Sequence, residues 1–383
     1  MRFIHTSDWH LGQIFMGKSR EEEHEKFLNW LSKIIKKEKI PLLIVSGDIF
    51  DTASPPIYAQ KLYFNFLSKL SKLSCKAVIT AGNHDSISFL EASKEILSFL
   101  NAEVITKEGK VLEFEEISLL AVPFLKEKFL LKALKKEGVK REEERFINAI
   151  KEHYENLIKK ADKNKKIVAT GHLSVIGSEP SGSEKEIYIG NLSSIEGEFF
   201  KNRFYYTALG HFHKKQEVSE GVLYSGSPIP LNFNEARYGK SILLIDTKDE
   251  KPKIKEIKVP FFKELISVKT SFLEMEEKLK KIKKGSWVEI ILTGDEKGEF
   301  IYQELERISK EKDIEILAVK YETSMRKKHS TDKRVEMESL TPLKVFQKRI
   351  ENEDISQEMR KKLENLFLKI AQETELDFTD ENQ

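Results

Sequence analysis

The sequence predicts an α/β protein built on a substantially parallel sheet. Three observations carry this. Short apolar runs alternate with longer amphipathic stretches from the N-terminus to about residue 265. The runs have strand rather than helix length. Each also stops at a small polar cluster, and the C-terminal ends of strands are where open α/β sheets carry their sites.

The strand candidates are Arg2 to Thr6, Pro41 to Ser46, Lys76 to Ala81, Lys166 to Gly171 and Tyr205 to Gly210. Between them, helical spacing runs over Glu22 to Lys37, Tyr58 to Ser71, Phe89 to Leu100 and Glu142 to Ala161. Val218 to Ile245 differs: Gly221, Gly226, Pro228, Pro230 and Gly239 punctuate it, which predicts short antiparallel strands and turns. Pro260 marks a boundary, and a small α/β unit follows. Its expected elements are a strand at Leu265–Thr270, a helix at Phe272–Lys283, a strand at Trp287–Thr293, a helix at Gly298–Lys312 and a strand at Ile314–Tyr321. Residues 324–340, with Arg326-Lys327-Lys328-His329, read as a basic linker. Thr341 and Pro342 then suit the N-cap and first position of a helix. Leu343, Phe346 and Ile350 form one apolar stripe, and Met359, Leu363, Leu366, Phe367 and Ile370 another. Such terminal helices pack on their own domain or dock on a partner, and spacing alone does not separate the two.

Composition bounds the class. The chain has 383 residues, more than one core usually organises, so two or more domains are expected. Hydrophobic residues at 39% argue against global disorder. With 65 basic and 63 acidic residues, the net charge of +2 says little about partners, and affinity for a polyanion must come from local clustering. The single cysteine, Cys75, excludes an internal disulfide and reads as a buried strand residue. The N-terminal segment lacks a signal-peptide pattern, and no apolar run approaches the ~20 residues a bilayer span needs, so a cytoplasmic protein without membrane segments is expected.

The polar clusters carry the chemistry. In order they are Asp8-Trp9-His10, Gly47-Asp48, Gly82-Asn83-His84-Asp85, His172 and His211-Phe212-His213. Five strands delivering them to one sheet edge would assemble one pocket. Asp8 and Asp48 supply carboxylates, Asn83 an amide oxygen, and His10, His172, His211 and His213 imidazoles. This nitrogen–oxygen set suits two ions of Mn, Fe or Zn. Residues two apart in extended chain face the same way, so Asp8 with His10, and His211 with His213, can share an ion. A carboxylate bridges two cations, and Asp48 is the bridge candidate. Two divalent ions against two carboxylates leave a positive site that attracts phosphate. Such a pair, about 3.5–4 Å apart, lowers the pKa of a water and clamps phosphate oxygens. His84, beside Asn83, is left to stabilise transition-state charge or protonate the leaving oxygen. Asp85 is expected to orient a neighbour as an acceptor. His5, His24, His153 and His329 lack this context. They read as a strand residue, two helix-surface residues and a linker residue.

This order of clusters resembles that of the calcineurin-like metallophosphoesterases. Thr6-Ser7-Asp8-Trp9-His10-Leu11-Gly12, Gly47-Asp48-Ile49-Phe50-Asp51-Thr52 with Ser54-Pro55-Pro56, and Ser225-Gly226-Ser227-Pro228-Ile229-Pro230-Leu231 look like the SbcD nucleases within them. The likeness is good over residues 1–245 and looser beyond. It implies an αββα sandwich core over 1–264, a small α/β capping domain over 265–323 that helps seat DNA, and C-terminal helices over 341–383. It assigns Asp8, His10, Asp48 and His213 to one ion, Asp48, Asn83, His172 and His211 to the other, and the transition state to His84. Asp51 stands where archaeal and eukaryotic relatives carry a histidine, as it does in SbcD-type proteins, so a catalytic role there does not carry over. The implied activity is Mn-dependent nuclease action on DNA, as double-strand exonuclease and single-strand or hairpin endonuclease in double-strand break repair. The implied partners are an SbcC-type coiled-coil ATPase, bound through the C-terminal stripes, and a second copy of the chain, bound through Tyr58–Ser71 and Phe89–Leu100. A phosphomonoesterase or cyclic-nucleotide phosphodiesterase on the same metal site is the competing expectation, and a non-catalytic docking module a third. The basic residues Lys18, Arg20 and Lys185 read as solvated surface rather than as a DNA path.

Overall fold

Residues 1–126, 142–184, 194–294, 299–322 and the positions 360, 363, 366 and 367 are described by the computed structural model. The core is an αββα sandwich of two six-stranded sheets. The first sheet runs, in spatial order, Lys253–Lys258, Ser241–Asp246, Arg2–Thr6, Leu42–Ser46, Lys76–Thr80 and Ala102–Ile105. The last four of these are mutually parallel, and Ser241–Asp246 lies antiparallel to Arg2–Thr6. The second sheet runs Gln216–Ser219, Val222–Tyr224, Tyr206–Gly210, Lys166–His172, Ile117–Ala121 and Lys110–Glu113.

The two-residue period of a strand builds the layers. In Leu42–Ser46 every residue is buried. Leu42 and Ile44 enter the core between the sheets, beside Phe3, Val78, Val168, Tyr206 and Ala208. Leu43 and Val45 point the other way, toward Phe27, Leu31, Tyr63 and Leu67 of the helices Glu21–Glu38 and Ile57–Lys72. The second sheet repeats the division: Leu119 faces inward, while Leu120, Ala169 and Leu209 pack under Phe146, Ile150 and Tyr154 of the helix Glu142–Ile158. A strand apolar on both faces reads as a continuous run, and a sheet covered by helices needs that.

Several sequence expectations are corrected. Phe89–Leu100 is not one helix but two, Ile87–Ala92 and Lys94–Phe99. The break falls at Ser93, whose hydroxyl donates to the Leu90 carbonyl at 3.0 Å, a local bond that competes with helix continuation. The Val218 to Ile245 stretch does make the expected antiparallel pairs, Val222–Tyr224 with Gln216–Ser219 and Ser241–Asp246 with Arg2–Thr6, but they are not one return. Val222–Tyr224 joins the second sheet parallel to Tyr206–Gly210, and the chain then crosses to the first sheet. His24 is buried rather than on a helix surface, because it shares the stripe of Phe27, Leu28, Leu31 and Ile35. His153 is half-buried, and its ring accepts the Gly109 N–H at 3.3 Å. Arg20 is fully buried, donating to both carboxylate oxygens of Glu23 at 2.6 Å and to the Pro230 carbonyl at 2.5 Å. Lys18 pairs with Glu315, while Lys185 and His329 lie outside the described residues. Cys75 is buried, and burial pushes its thiol up to about 12, out of reactive range.

The small unit is a three-stranded parallel sheet, Leu265–Thr270, Trp287–Thr293 and Glu315–Glu322, with the helices Phe272–Lys280 and Glu299–Lys312. It has its own core around Leu279, Val288, Ile290, Leu305 and Ile308. It meets the sandwich at Trp287, which stacks on Phe15 with ring centroids 5.8 Å apart. The Arg20 guanidinium lies over both rings, 5.6 Å from Phe15 and 5.8 Å from Trp287. Leu363, Leu366 and Phe367 are helical, and Leu343, Phe346 and Ile350 lie outside the described residues. Among the described residues no helix is long and apolar enough to cross a membrane.

His5 sits between the sheets, one ring nitrogen 2.9 Å from the Tyr206 hydroxyl and the other 3.1 Å from the Leu209 carbonyl. Burial pushes its pKa down from 6.5 to about 3. Between those values the unfolded chain takes up a proton that the folded chain excludes, so stability is whole above pH 6.5 and falls as pH falls. Urea unfolding from pH 7 to pH 4 should show a loss, and His5→Gln should flatten the slope by up to about 1.4 kcal/mol per pH unit. An unchanged slope would remove His5 as its source.

Candidate metal centre

The polar clusters converge at one sheet edge. Asp8 and His10 follow Arg2–Thr6, Asp48 follows Leu42–Ser46, Asn83 and His84 follow Lys76–Thr80, His172 ends its strand, and His211 and His213 follow Tyr206–Gly210. Ligand atoms of Asp8, His10 and His213, of His10, Asp48 and His84, and of Asp8, Asp48 and His172 each lie within 4.8 Å of one another. Asp8, His10 and Asp48 each belong to two of these groups, so the cluster is shared rather than double. Asp48 Oδ2 is 3.3 Å from His172 Nε2 and 3.7 Å from His10 Nε2. Asn83 Oδ1 is 2.9 Å from His172 Nε2. His211 falls outside these tight groups. Its ring lies edge-on to that of His172 at 5.5 Å, and its backbone N–H donates to Asp8 Oδ1 at 2.9 Å.

The imidazoles share one orientation. Nδ1 donates from His172 to the Ser46 carbonyl at 3.0 Å, from His10 to Asp51 Oδ1 at 3.1 Å and from His84 to the Asp51 carbonyl at 2.7 Å. His213 Nδ1 lies 3.1 Å from Glu235 Oε1. Carbonyl and carboxylate oxygens only accept, so Nδ1 carries a hydrogen, and Nε2 is the nitrogen left for a cation once its own proton is displaced. His10 Nε2 is buried and has no hydrogen-bond partner among the described residues. An imidazole nitrogen left without a partner in a dry cluster of carboxylates suits a divalent cation, and the donor set contains no thiol.

A family model described as calcineurin-like phosphoesterase matches residues 1–215. The SbcD subunit of the nuclease SbcCD from Escherichia coli strain K12 is 32% identical over 388 residues, 96% of this chain and 97% of the relative. The chain belongs to the SbcD family of calcineurin-like phosphoesterases. The SbcD relative from Bacillus subtilis strain 168 is 30% identical over 268 residues, 65% of this chain and 66% of the relative. A second model, described as the type 5 capsule protein repressor C-terminal domain, matches residues 261–354. As an SbcD-family member the chain is a metal-dependent phosphodiester hydrolase with a divalent-metal site.

Within this SbcD-type site the charges set one another. Burial opposes the charge of Asp48, but the imidazoles of His172, His10 and His84 hold its carboxyl well below the usual range. Burial likewise opposes a charged His172, and Asp48 overrides it to hold that imidazole up at about 9. Proton and cation therefore compete for the same buried place. Burial, with the Asp48 charge added, raises Asp85 to about 6. Asp85 accepts the N–H groups of Ile49, Phe50 and Gly82 at 3.2, 3.0 and 2.8 Å, so it ties two motif loops together through their backbones.

Backbone strain concentrates here. Asp8, His10, Asp48 and His211 have φ of 53°, 47°, 50° and 110°, a region side-chain-bearing residues rarely enter. The loops are zipped by Asp8 N–H to the Gly47 carbonyl at 3.0 Å and His10 N–H to the Asp48 carbonyl at 3.1 Å. Sequence reasoning missed Ser183, Glu184, Glu235 and Lys240 behind His213. Glu184 accepts the His213 backbone N–H at 3.0 Å, and Glu235 accepts from Lys240 at 2.6 Å. The only signal was that Glu235 follows the Ser225–Leu231 motif, which carries no ligand type of its own.

Gly82 is required by contact: a Cβ there would stand 2.1 Å from Asp48 Oδ1. Gly82→Ala should fold yet bind Mn at least about tenfold more weakly, by displacing a carboxylate that both halves of the cluster use. Equilibrium dialysis with metal analysis checks this, and wild-type affinity would show that the loop absorbs the methyl group.

Proposed function

We propose that the chain is a Mn-dependent DNA nuclease, a double-strand exonuclease and single-strand or hairpin endonuclease, working with an SbcC-type coiled-coil ATPase in double-strand break repair. The supporting observation is the convergence of Asp8, His10, Asp48 and His172 at one strand edge, in a chain similar over 96% of its length to the SbcD subunit of a nuclease SbcCD.

In this reading Asp8, His10, Asp48 and His213 hold one Mn ion and Asp48, Asn83, His172 and His211 the other. Two such ions lower the pKa of a water and clamp phosphate oxygens. Asp48 supplies the shared carboxylate. His84 faces a cavity of about 530 Å³ lined also by Asn83, Ser86, Lys107 and Lys126, a place for the phosphate and leaving group. There His84 meets developing charge while its Nδ1 stays pinned to the Asp51 carbonyl. Asp51 takes part by positioning His10 and His84, and Asp85 by holding the Asp48 and Asn83 loops. Residues 1–264 form the nuclease domain, residues 265–323 cap it and seat DNA, residues 324–340 are a basic linker, and residues 341–383 dock on the ATPase. A homodimer through Tyr58–Ser71 and Phe89–Leu100 is supported by the 69% exposure of Ile57, just before the first, and the 86% exposure of Phe99 in the second. The cytoplasm is the place of action.

With Mn added, the wild type should cut duplex and single-stranded DNA and turn over p-nitrophenyl phosphate little. Asp48→Ala should lose cutting, and His84→Ala should keep both ions and lose about 100-fold or more in rate. Fast monoester turnover with intact DNA would favour the phosphomonoesterase reading. Deleting residues 341–383 should spare basal cutting and abolish capture of the ATPase, and retained capture would return those helices to packing on their own domain.

A further inference from the structure

Behind His213 lies a buried ion pair that neither the fold nor the reaction explains. Glu235 and Lys240 are 0% and 5% exposed. Every donor and acceptor of the pair is engaged. Lys240 Nζ donates to Glu235 Oε2 at 2.6 Å, to Ser227 Oγ at 2.8 Å and to the His213 carbonyl at 3.0 Å. Glu235 Oε2 also accepts the Leu231 N–H and the Ser227 hydroxyl, each at 3.1 Å. Its other oxygen meets His213 Nδ1 at 3.1 Å, the Ser181 hydroxyl at 3.1 Å and the Ser183 hydroxyl, whose oxygen itself lies 2.6 Å from His213 Nδ1.

A buried pair of this kind contributes little net stability, because desolvation offsets its attraction, and apolar residues of similar size would serve a core as well. The pair instead grips one residue twice. Lys240 holds the backbone carbonyl of His213, and Glu235 holds its ring, both directly and through Ser183, whose hydroxyl hydrogen goes to Glu235 and leaves its oxygen to accept from Nδ1. We propose that Glu235 and Lys240 are positioning residues that clamp His213, keep its hydrogen on Nδ1 and aim Nε2 into the cluster, and so set the affinity for a divalent cation there. This deepens the metal-site reading and rests on it.

The chemistry states what each group does. A carboxylate opposite Nδ1 selects the tautomer whose Nε2 can ligate and stops the ring from turning. Lys240 prevents the chain after the strand Tyr206–Gly210 from shifting, a segment already strained at His211. The clamp is built on the segment after the Ser225–Leu231 motif, so that motif serves the site through Glu235 rather than through a ligand of its own.

The test is Mn binding, measured on the full chain by equilibrium dialysis with metal analysis and by the spin coupling of paired Mn ions. Wild-type protein should bind two ions, and a wild type without bound Mn overturns the metal reading itself. In Glu235→Leu with Lys240→Met no buried charge is left unpaired. That variant should unfold within a few degrees of wild type, bind one Mn about 10–100-fold more weakly and lose the coupled signal. Glu235→Gln with Lys240→Met restores an acceptor for Nδ1–H and should recover most of the affinity. Two ions at wild-type affinity in the leucine variant would overturn the clamp, as would equal losses in both variants. Ring-nitrogen NMR of metal-free wild type needs no variant to fold: hydrogen on His213 Nδ1 supports the assignment, and hydrogen on Nε2 overturns it.

Discussion

Two carboxylates, Asp8 and Asp48, are held in one dry space at the ends of adjacent parallel strands. Like charges in such a place repel and cannot both stay ionised without positive charge beside them. In the metal-free chain imidazoles provide it, His172 foremost, and a divalent cation would provide it better. Much of the surrounding architecture keeps those oxygens and the facing imidazole nitrogens from moving apart.

The restraint is backbone-deep. The left-handed conformations of Asp8, His10 and Asp48 turn three side chains toward one point, and the zipped loops keep them there. Asp85 is buried without touching a cation, because its work is to accept three backbone N–H groups. His10, His84, His172 and His213 follow one rule, Nδ1 toward a protein oxygen, which leaves Nε2 for the centre. Such a site stores strain that the two-sided sandwich core can hold, since its strands are packed on both faces.

The small unit joins this scheme through Arg20. Its guanidinium lies against Phe15 and Trp287 and donates to the Pro230 carbonyl, and Leu231 beside it donates its N–H to Glu235. One fully buried cation thus touches the seam with the small unit and the segment that holds His213. A lone arginine in a polar stretch reads as surface, and its burial is tolerable because Glu23 pairs with it through both carboxylate oxygens while the Phe15 and Trp287 rings cover it.

The sequence by itself determined the layer pattern and which residues converge on the candidate site. Continuous apolar runs require strands covered on both sides, and Asp, Asn and His at the end of each run are set by local spacing. Strand ends converge whenever such a sheet closes, so Asp8, His10, Asp48, Asn83, His84 and His172 were legible in the unfolded chain. The tertiary structure alone decided what lies behind them. His24 joined a helix stripe whose apolar face hid it, Ser93 split a helix by a single hydroxyl bond, and Glu235 and Lys240 reached His213 across more than twenty residues of strand and turn. Metal-ligand residue types announce themselves by kind and order. The groups that aim them are ordinary carboxylates, lysines and carbonyls, and only distance in the folded chain separates those from the solvated charge that covers the rest of the surface.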